Sequence, residues 1–460
     1  MVGAPSDIRD LGALPLPPRN PLPRKERLAA CRSFHVGTDT LRDAGGPVTR
    51  FTLAPRWLMP PLVVVTSPQG IRDVVACHDG SIDKTAGVTV EMRRLIGPNL
   101  FVVPFDEWKP RRRTLQPVFT KQSVDSFGGD MAEATESVCG TWQDGAEIDV
   151  DVEARKLTMR ALGHSVLGLD VTDRHDAIAM PMREAVSYAV SRAISPVRPP
   201  HWLPTPRRQR ARKAAAKLRD AALSIVKECR ADPARSAPLV QQLIAARDPE
   251  TGKPLTDNDI ADELIIFIFA GHDTTATAIS YALWQLGRHR DIQDRVAREV
   301  AELGTERLTP DDVPRLGYTI QVLKEAMRLA PPGATGARMT TQDVEVAGYR
   351  IPAGTMLVVG RMSVQRDPTL WTDPLRFDPD RFTEEASKAR DRWQYVPFGG
   401  GPRGCIGDHF AMLEATLALA TIVRLVEIES LHNDYPLAAP FTMVAGGPIP
   451  AQVRLRQSPS

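Results

Sequence analysis

The spacing of apolar and polar residues predicts strands early in the chain and helices through its middle. Residues 48–53 and 62–66 are rich in β-branched side chains, which favour strands. Ser67 followed by Pro68 predicts the start of a short helix, because serine caps a helix and proline suits its first turn. From about residue 108 to about residue 330 the pattern is mainly helical.

One long helix without proline is predicted from Thr256 to about His289, roughly 50 Å at 1.5 Å per residue. Thr256 and Asp259 have the spacing of a capping box. Residues 264–270 carry no polar side chain, which predicts that this stretch is buried on all sides. The sequence then turns polar at residues 271–275, so we expect chemistry at that point of the helix.

Prolines at 196–206 interrupt the helical region and predict an exposed loop between two helices. This loop is either a plain connector or a mobile lid. Residues 344–359 predict a hairpin that turns at Gly348, with a second strand pair behind it. Residues 365–397 predict irregular packed coil, and a last long helix is expected after Cys405.

Composition limits the class of protein. The 460 residues, 42% of them hydrophobic, allow a large core, and a net charge of +2 gives no reason to expect nucleic acid as a partner. Five cysteines without a C-x-x-C pair argue against disulfides or zinc and favour a reducing, cytoplasmic location. We expect a proline-rich leader over residues 1–30, without a membrane anchor, and one domain over residues 31–460.

The strongest chemical signal lies in residues 398–407, where an aromatic ring, an arginine, a cysteine and glycines fall at fixed offsets. Cys405 precedes a predicted helix, so backbone N–H groups and the helix dipole can stabilise its thiolate. The glycines allow the backbone to approach a flat ligand, and Arg403 can reach an anion near the sulfur. The alternative is a glycine-rich turn with an incidental cysteine.

The chain resembles the cytochrome P450 family in five motifs that occur in the family's order. The haem-binding pattern F-x-x-G-x-R-x-C-x-G is met by Phe398, Gly401, Arg403, Cys405 and Gly407. The other four are W-x-x-x-R at 108–112, A-G-H-D-T-T at 270–275, E-x-x-R at 325–328 and F-D-P-D-R-F at 377–382. The resemblance implies a mainly α cytochrome P450 fold, in which a large helical lobe and a smaller β-containing lobe surround a buried haem b.

The resemblance also implies how the haem is held. Cys405 would be the axial ligand of the iron, with Phe398 and Gly407 beside it in the same loop. The propionates would bind Arg403, Arg112 and Arg338, and the indole N–H of Trp108 would add a donor. Of the three consecutive arginines at 111–113, we expect one to face the haem and the others to face solvent.

Three residues of the long helix are expected at the oxygen site. By resemblance, Gly271 leaves room for dioxygen, Thr274 helps deliver protons to it, and Asp273 relays them. Thr274 could instead bond back to an earlier carbonyl, and Asp273 could form a salt bridge to an arginine. His272 is interpreted as non-catalytic.

Three further residues are expected to support the fold. Glu325, Arg328 and Arg381 should form a buried ion-pair cluster beneath the haem loop; an exposed i,i+3 pair is the alternative. Gln365 stands where many relatives carry histidine.

Substrate contacts are expected at Ile266, Phe269, Ala270, Thr335 and Phe441, although each could be core packing. The resemblance implies a monooxygenase that inserts one oxygen atom of O2 into a fatty acid, terpenoid, steroid, polyketide or xenobiotic. Electrons would come from a separate ferredoxin or flavodoxin with its NAD(P)H reductase, docked near Arg111 or Arg113. Alternatives are a peroxygenase, isomerase or dehydratase that needs no reductase, and a haem-binding sensor.

Overall fold

Helices dominate the computed structural model, as the apolar spacing predicts. The described residues are 11–164, 175–195, 198–233, 235, 237–305 and 307–456. The α-helices in them are α1 (Arg24–Arg32), α2 (Phe34–Gly45), α3 (Pro68–Val75), α4 (Gly87–Ile96), α5 (Phe105–Leu115), α6 (Lys121–Asp125), α7 (Gly128–Cys139), α8 (Val150–Leu162), α9 (His175–Ile194), α10 (Pro206–Ala231), α11 (Pro238–Ala245), α12 (Asp257–Arg288), α13 (Arg290–Ala301), α14 (Gly317–Leu329), α15 (Arg361–Gln365), α16 (Glu384–Ala389) and α17 (Asp408–Leu425). Short 3-10 helices lie at Leu11–Ala13, Gln116–Phe119, Pro310–Arg315, Pro379–Phe382 and Arg392–Gln394.

The strands form one five-stranded sheet and three smaller ones. They are β1 (Val48–Phe51), β2 (Leu62–Val65), β3 (Ile82–Asp83), β4 (Glu147–Asp149), β5 (Thr335–Thr340), β6 (Val344–Val346), β7 (Tyr349–Ile351), β8 (Met356–Gly360), β9 (Val426–Ser430), β10 (Leu437–Ala438), β11 (Val444–Ala445) and β12 (Pro450–Leu455). The large sheet has the order β1-β2-β8-β5-β3, in which β2 and β8 are parallel. The others are β4-β12-β9, β6-β7 and β10-β11.

Helix α12 runs through the core and confirms the sequence prediction. Its 32 residues begin after Thr256, whose side chain accepts from the N–H of Asp259 in a complete capping box. It packs against α8, α10 and α17, and most of its residues are buried. No helix in the part of the chain that the structure describes is long and apolar enough to cross a bilayer.

The predicted strands at 48–53 and 62–66 and the helix that follows Ser67 are confirmed as β1, β2 and α3. The hairpin is confirmed as β6 and β7, with Gly348 at a φ of 80°. The prediction of a second strand pair is wrong, because a single strand follows the hairpin. That strand, β8, pairs with β2 and β5, whose residues are distant in sequence.

The proline-rich segment connects α9 to α10 and rests on α4; residues 196 and 197 lie outside the described chain. Arg208 donates to the carbonyl of Pro200 at 2.6 Å. The ring nitrogen Nε2 of His201 lies 3.1 Å from Arg192, which pairs with Glu91 of α4 at 3.1 Å. These contacts hold the segment against α4.

Near its beginning, the described chain runs along β1. The N–H of Asn20 donates to the carbonyl of Arg50, and the N–H of Arg50 donates to the carbonyl of Pro18, both at 2.9 Å. Residues 18–20 therefore add backbone hydrogen bonds to the edge of the large sheet.

Candidate active site

The loop before α17 is folded tightly around Cys405. The N–H of Cys405 donates to the carbonyl of Phe398 at 2.9 Å, which closes the loop. Gly401 has a φ of 63°, and a Cβ there would lie 2.1 Å from the carbonyl oxygen of Val75. Only glycine fits this left-handed position so close to the backbone of α3. The loop then enters α17 at Asp408.

Cys405 lies deep in the molecule, yet part of its surface is accessible, so it faces an interior cavity. Burial raises the pKa of its thiol, whereas the N–H of Gly407 and the charges of Arg112 and Lys84 lower it. A Cβ on Gly407 would meet no atom within 4 Å, so there is open space at this glycine.

Four cations surround this cavity, and they have one carboxylate among them. Arg403 pairs with Asp83 at 2.7 Å and donates to the carbonyl of Val103 at 2.9 Å. Lys84, Arg338 and Arg361 have no carboxylate within 4.0 Å among the described residues. Their side chains contact, respectively, the Phe101 ring and the carbonyls of Ala337 and Gly333.

Burial lowers the pKa of each of these cations, and repulsion from neighbouring arginines lowers it further for Lys84 and Arg338. The pKa of Arg338 falls to about 9, first through burial and then through the charges of Arg361 and Arg403. The pKa of Lys84 falls well below its ordinary value for the same reasons. Cations that lack counter-ions at such a depth indicate a place for an anionic ligand. A flat group with two carboxylates and a metal that accepts a thiolate fits this donor set.

The predicted residues of α5 lie beside the cysteine loop. Arg112 donates to the carbonyl of Gly404 at 3.2 Å, and burial lowers its pKa. Trp108 is buried, and the guanidinium carbon of Arg403 lies 4.9 Å from the centre of its ring. Arg112 therefore contacts the loop that holds Cys405.

Its two neighbours do not face free solvent as expected. Arg111 pairs with Glu263 at 2.7 Å and with Asp259 at 2.9 Å, and only 14% of its side chain is exposed. Arg113 makes two hydrogen bonds to Asp248, at 2.8 and 2.9 Å. Both arginines are neutralised by carboxylates of the segment before α12 or of α12 itself.

The polar turn of α12 opens towards the cavity at Ala270. Ala270 is exposed, contrary to the expectation that residues 264–270 are buried on all sides. Thr274 is half-buried and its hydroxyl donates to the carbonyl of Ala270, the back-bond that was one of its two interpretations. A Cβ on Gly271 would lie 3.1 Å from Leu162, so this glycine makes room for α8.

Asp273 is held in an ion pair with Arg155 of α8, which also donates to Asp151 at 2.7 Å. The side chains of Arg155 and Asp273 are 10% and 12% exposed. His272 is buried, and its Nδ1 lies 2.9 Å from the hydroxyl of Thr158. The salt-bridge interpretation of Asp273 therefore holds, and the acid stands one residue from Thr274.

Three phenylalanines from distant parts of the chain form an aromatic group. The ring centres of Phe269 and Phe441 are 5.8 Å apart, and the ring of Phe101 lies 5.8 Å from Phe441. Thr335 is half-buried, whereas Ile266 is packed in the core with 3% exposure. The structure thus brings together Phe269 and Phe441 and adds Phe101, which joins them to Lys84 through a cation–π contact of 4.0 Å.

The expected ion-pair cluster is assembled and buried. Arg328 donates to the two oxygens of Glu325 at 2.6 and 2.8 Å, and both side chains are 0% exposed. Arg381 lies 3.6 Å from Glu325. The amide of Gln365 donates to the carbonyls of Met327 and Arg328 at 3.0 and 3.1 Å. The oxygen of Gln365 accepts from the N–H of Val396 at 3.0 Å, just before the cysteine loop.

Comparison with known proteins places this site in a family. A sequence model described as cytochrome P450 matches residues 17–455, and the chain belongs to the cytochrome P450 family. It is 31% identical over 362 residues to cyclooctat-9-en-7-ol 5-monooxygenase of Streptomyces melanosporofaciens. The matched region covers 76% of this chain and 79% of that protein. The chain is also 31% identical over 360 residues to pentalenene oxygenase of Streptomyces avermitilis, with 77% and 79% covered.

The fold agrees with solved structures. The crystal structure of the haem domain of a cytochrome P450DA mutant matches with a TM-score of 0.82 and 25% identity, and covers 96% of this chain and 98% of that one. The fold is therefore that of a cytochrome P450, mainly α with a smaller sheet region. The chain is a cytochrome P450 monooxygenase, an oxidoreductase that incorporates oxygen from O2.

The family implies a haem-thiolate cofactor, and the residues present fit it. Sequence reasoning missed Lys84, Arg361 and Arg155 as parts of the site. Lys84 and Arg361 stand outside any motif, and only their position at the cavity marks them. Arg155 lies one helical repeat after Asp151, a pattern shared by many surface pairs.

Proposed function

We propose that Cys405 binds the iron of haem b and that the protein oxygenates a lipophilic small molecule. The observation that carries the proposal is the cavity itself, in which an accessible thiol stands among deep cations without counter-ions. We further propose that residues 31–460 act as one domain. From the cysteine pattern of the sequence we also propose a cytoplasmic location.

The haem propionates would bind Arg403, Arg112 and Arg338, with Lys84 as a further cation and Trp108 beside them. When bound, haem supplies the reductive activation of dioxygen, which thiolate ligation favours. The N–H of Gly407 would stabilise the thiolate, and Phe398 would close the loop behind it.

Asp273 and Thr274 would handle protons on the distal side. The ion pair with Arg155 orients the carboxylate of Asp273. The hydroxyl of Thr274 is bonded to Ala270 and can turn from this carbonyl towards the cavity, because the side chain is only half-buried. The exposed methyl of Ala270 leaves the space in which a small ligand could bind. Asp273 would take up a proton from water and pass it to the hydroxyl of Thr274, which would release its own proton towards the cavity as it accepts this one.

The substrate would lie against the aromatic group of Phe101, Phe269 and Phe441, with Thr335 on the neighbouring wall. Apolar walls with few polar groups are typical of cavities that bind lipophilic molecules. The relatives are named for cyclooctat-9-en-7-ol and pentalenene, so we infer a terpenoid-like substrate for this chain.

Electrons would come from a separate ferredoxin or flavodoxin with its NAD(P)H reductase. The proposed docking face is a recess of about 700 Å³ beside the cysteine loop, lined by Trp108, Lys109, Arg112 and Pro402 among others. Lys109 is exposed there, whereas Arg111, the earlier candidate, is occupied by carboxylates. An acidic partner surface suits this face.

The ferrous–CO spectrum of the purified protein tests the proposal. Haem ligated by a thiolate gives a red-shifted Soret band, and we expect this band in the native protein. Cys405→Ala should lose the band, whereas Cys139→Ala, a buried cysteine remote in sequence, should keep it. A native protein without the band, or a Cys405→Ala variant that retains it, would overturn the assignment. Turnover with NADH and a ferredoxin system, compared with peroxide alone, separates a monooxygenase from a peroxygenase.

A further inference from the structure

The cavity holds one more cation than a haem requires. Lys84, Arg338, Arg361 and Arg403 are its deep cations, and Asp83 is the carboxylate paired with one of them. Ferric iron, the porphyrin dianion and a thiolate cancel one another, so haem contributes only its two propionate charges. Arg112, a fifth cation near the sulfur, is offset by the charge of Asp408. Five cations against four carboxylates therefore leave one positive charge without a partner.

We identify Arg361 as the cation whose positive charge has no partner. Its Nη1 donates to the carbonyl of Gly333 at 2.9 Å, and Cβ atoms on Gly333 and Gly336 would lie 2.5 and 2.6 Å from the guanidinium. Two glycines thus let the guanidinium lie flat on the backbone of the segment that contains Thr335, a proposed substrate contact. Arg403, by contrast, is already fixed on the cysteine-loop side by Asp83.

The guanidinium is deep in the protein but partly accessible, so it faces the cavity. The charge of Cys405 raises the pKa of Arg361, and the charge of Arg361 lowers the pKa of Lys84, so the three groups lie near one another. An arginine has a fork of five donors, and the bond to Gly333 uses one of them. The remaining donors suit the two oxygens of a carboxylate.

We propose that Arg361 binds the carboxylate of an amphipathic acid, so that the preferred substrate is a lipophilic carboxylic acid. This inference rests on the proposed function, because it assumes that the haem occupies the cavity. The aromatic group of Phe101, Phe269 and Phe441 would hold the apolar part of the acid, and Arg361 would fix its polar end. A charge-assisted pair of this kind, shielded from water, contributes about 1.5–3 kcal/mol to binding.

The test uses haem-loaded protein and the substrate-induced change in the spin state of the iron. Two matched pairs of probes serve: dodecanoic acid with dodecan-1-ol, and a sesquiterpene carboxylic acid with its alcohol. We expect at least one acid to bind the native protein about tenfold more tightly than its alcohol, as the strength of such a pair implies. Arg361→Gln should remove this preference and leave the Kd of the alcohol within about twofold, whereas Arg361→Lys should keep part of it.

The ferrous–CO spectrum of each variant is recorded in parallel and separates the two proposals. A native protein without the thiolate band contradicts the proposed function. A normal band together with no preference for either acid overturns only the present inference. So does an Arg361→Gln variant that keeps the preference, or one that no longer retains haem. That last result would instead assign Arg361 to a propionate.

Discussion

At the scale of single residues, Gln365 joins the buried Glu325 cluster to the loop that carries Cys405. Its side chain is 0% exposed and makes hydrogen bonds to three backbone groups. The bonds to Met327 and Arg328 fix it on α14, and the bond from Val396 reaches the strand-like approach to the cysteine loop. The side-chain amide of Gln365 thus fixes the loop of the proposed haem ligand relative to α14.

Replacing Gln365 with leucine should be costly. The change leaves buried backbone groups without partners, and each such group costs about 1–3 kcal/mol. We expect Gln365→Leu to lower the free energy of unfolding in urea by about 3 kcal/mol and to weaken haem retention. Gln365→His keeps a donor and an acceptor and should lose less than half as much. Equal losses in the two variants would show that size, and not hydrogen bonding, matters at this position.

Arg155 makes a second prediction at this scale. It faces two carboxylates, Asp151 and Asp273, and removal of the cation leaves both of them buried without their arginine. Breaking a buried ion pair from one side costs about 3–5 kcal/mol, so Arg155→Leu should be destabilised by an amount of that order. Adding Asp151→Asn to this variant removes one stranded charge.

The double variant should therefore recover about 1 kcal/mol or more, a coupling measured by a double-mutant cycle in urea. Strict additivity of the two changes would mean that Asp151 does not share Arg155. The same cycle with Asp149→Asn, the N-cap of α8, is the control, because that carboxylate bonds backbone N–H groups instead.

How far the sequence predicts the site depends on whether a residue belongs to a motif. Glu325 and Arg328 stand at a fixed offset within a motif, so their buried pair was predictable from the sequence alone, and the same kind of spacing singles out Cys405. Lys84 and Arg361 have ordinary neighbours in sequence. Their role follows from depth and missing counter-ions, which only the folded chain reveals.

At the scale of elements, α12 was predictable and β5 was not. The helix carries a capping box at Thr256 and no proline over its length, and both signals are local. Strand β5 contains Gly336 and Arg338, and five of its six residues are half-buried. Its sequence therefore lacks the alternation of apolar and polar residues that would predict a strand. It exists because β8 and β3 pair with it on either side, which is a long-range cause.

The first turns of α12 tie three other elements together. Glu263 is fully buried, accepts from the N–H of Leu100 at 3.0 Å and pairs with Arg111 of α5. Its neighbour Asp262 pairs with Arg219 of α10. Burial raises the pKa of Glu263 to about 7 and that of Asp262 to about 6, against the opposing effect of the arginines.

The raised pKa of Glu263 predicts a pH dependence of stability. The folded protein binds the proton of Glu263 more tightly than the unfolded chain does. The resulting stabilisation is complete below the ordinary glutamate pKa of 4.5 and is lost as pH rises through about 7. The loss is on the order of 3 kcal/mol across this window. Glu263→Gln cannot titrate at this position.

Urea unfolding of the native protein and Glu263→Gln at pH 5, 6, 7 and about 8 checks this prediction. The native protein should lose stability relative to the variant as pH rises, whatever the constant offset between them. Glu384→Gln on the exposed helix α16 is the control and should run parallel to the native curve. Parallel curves for Glu263→Gln as well would contradict the raised pKa.

At the scale of the whole molecule, the cavity lies where chain segments distant in sequence meet. Lys84 follows β3, Arg338 lies on β5, Thr274 on α12, and Cys405 precedes α17. The helical part contributes Asp273 and Thr274, whereas Lys84, Arg338 and Arg361 lie on the strands of the large sheet or directly after them. The recess at Lys109 lies beyond the cysteine loop, so substrate and electron partner would approach different faces.

This separation makes a prediction about electron transfer. Lys109 is exposed on α5 beside the recess, and reversing its charge should repel an acidic ferredoxin without disturbing the cavity. We expect Lys109→Glu to lower the second-order rate of reduction by roughly threefold to tenfold at low ionic strength, with the difference shrinking at high salt as screening grows. Stopped-flow formation of the ferrous–CO complex measures this rate. Lys217→Glu, a matched reversal on the exposed side of α10, should leave it unchanged. Equal slowing in both variants would show that net charge, and not a docking face beside Cys405, governs the encounter.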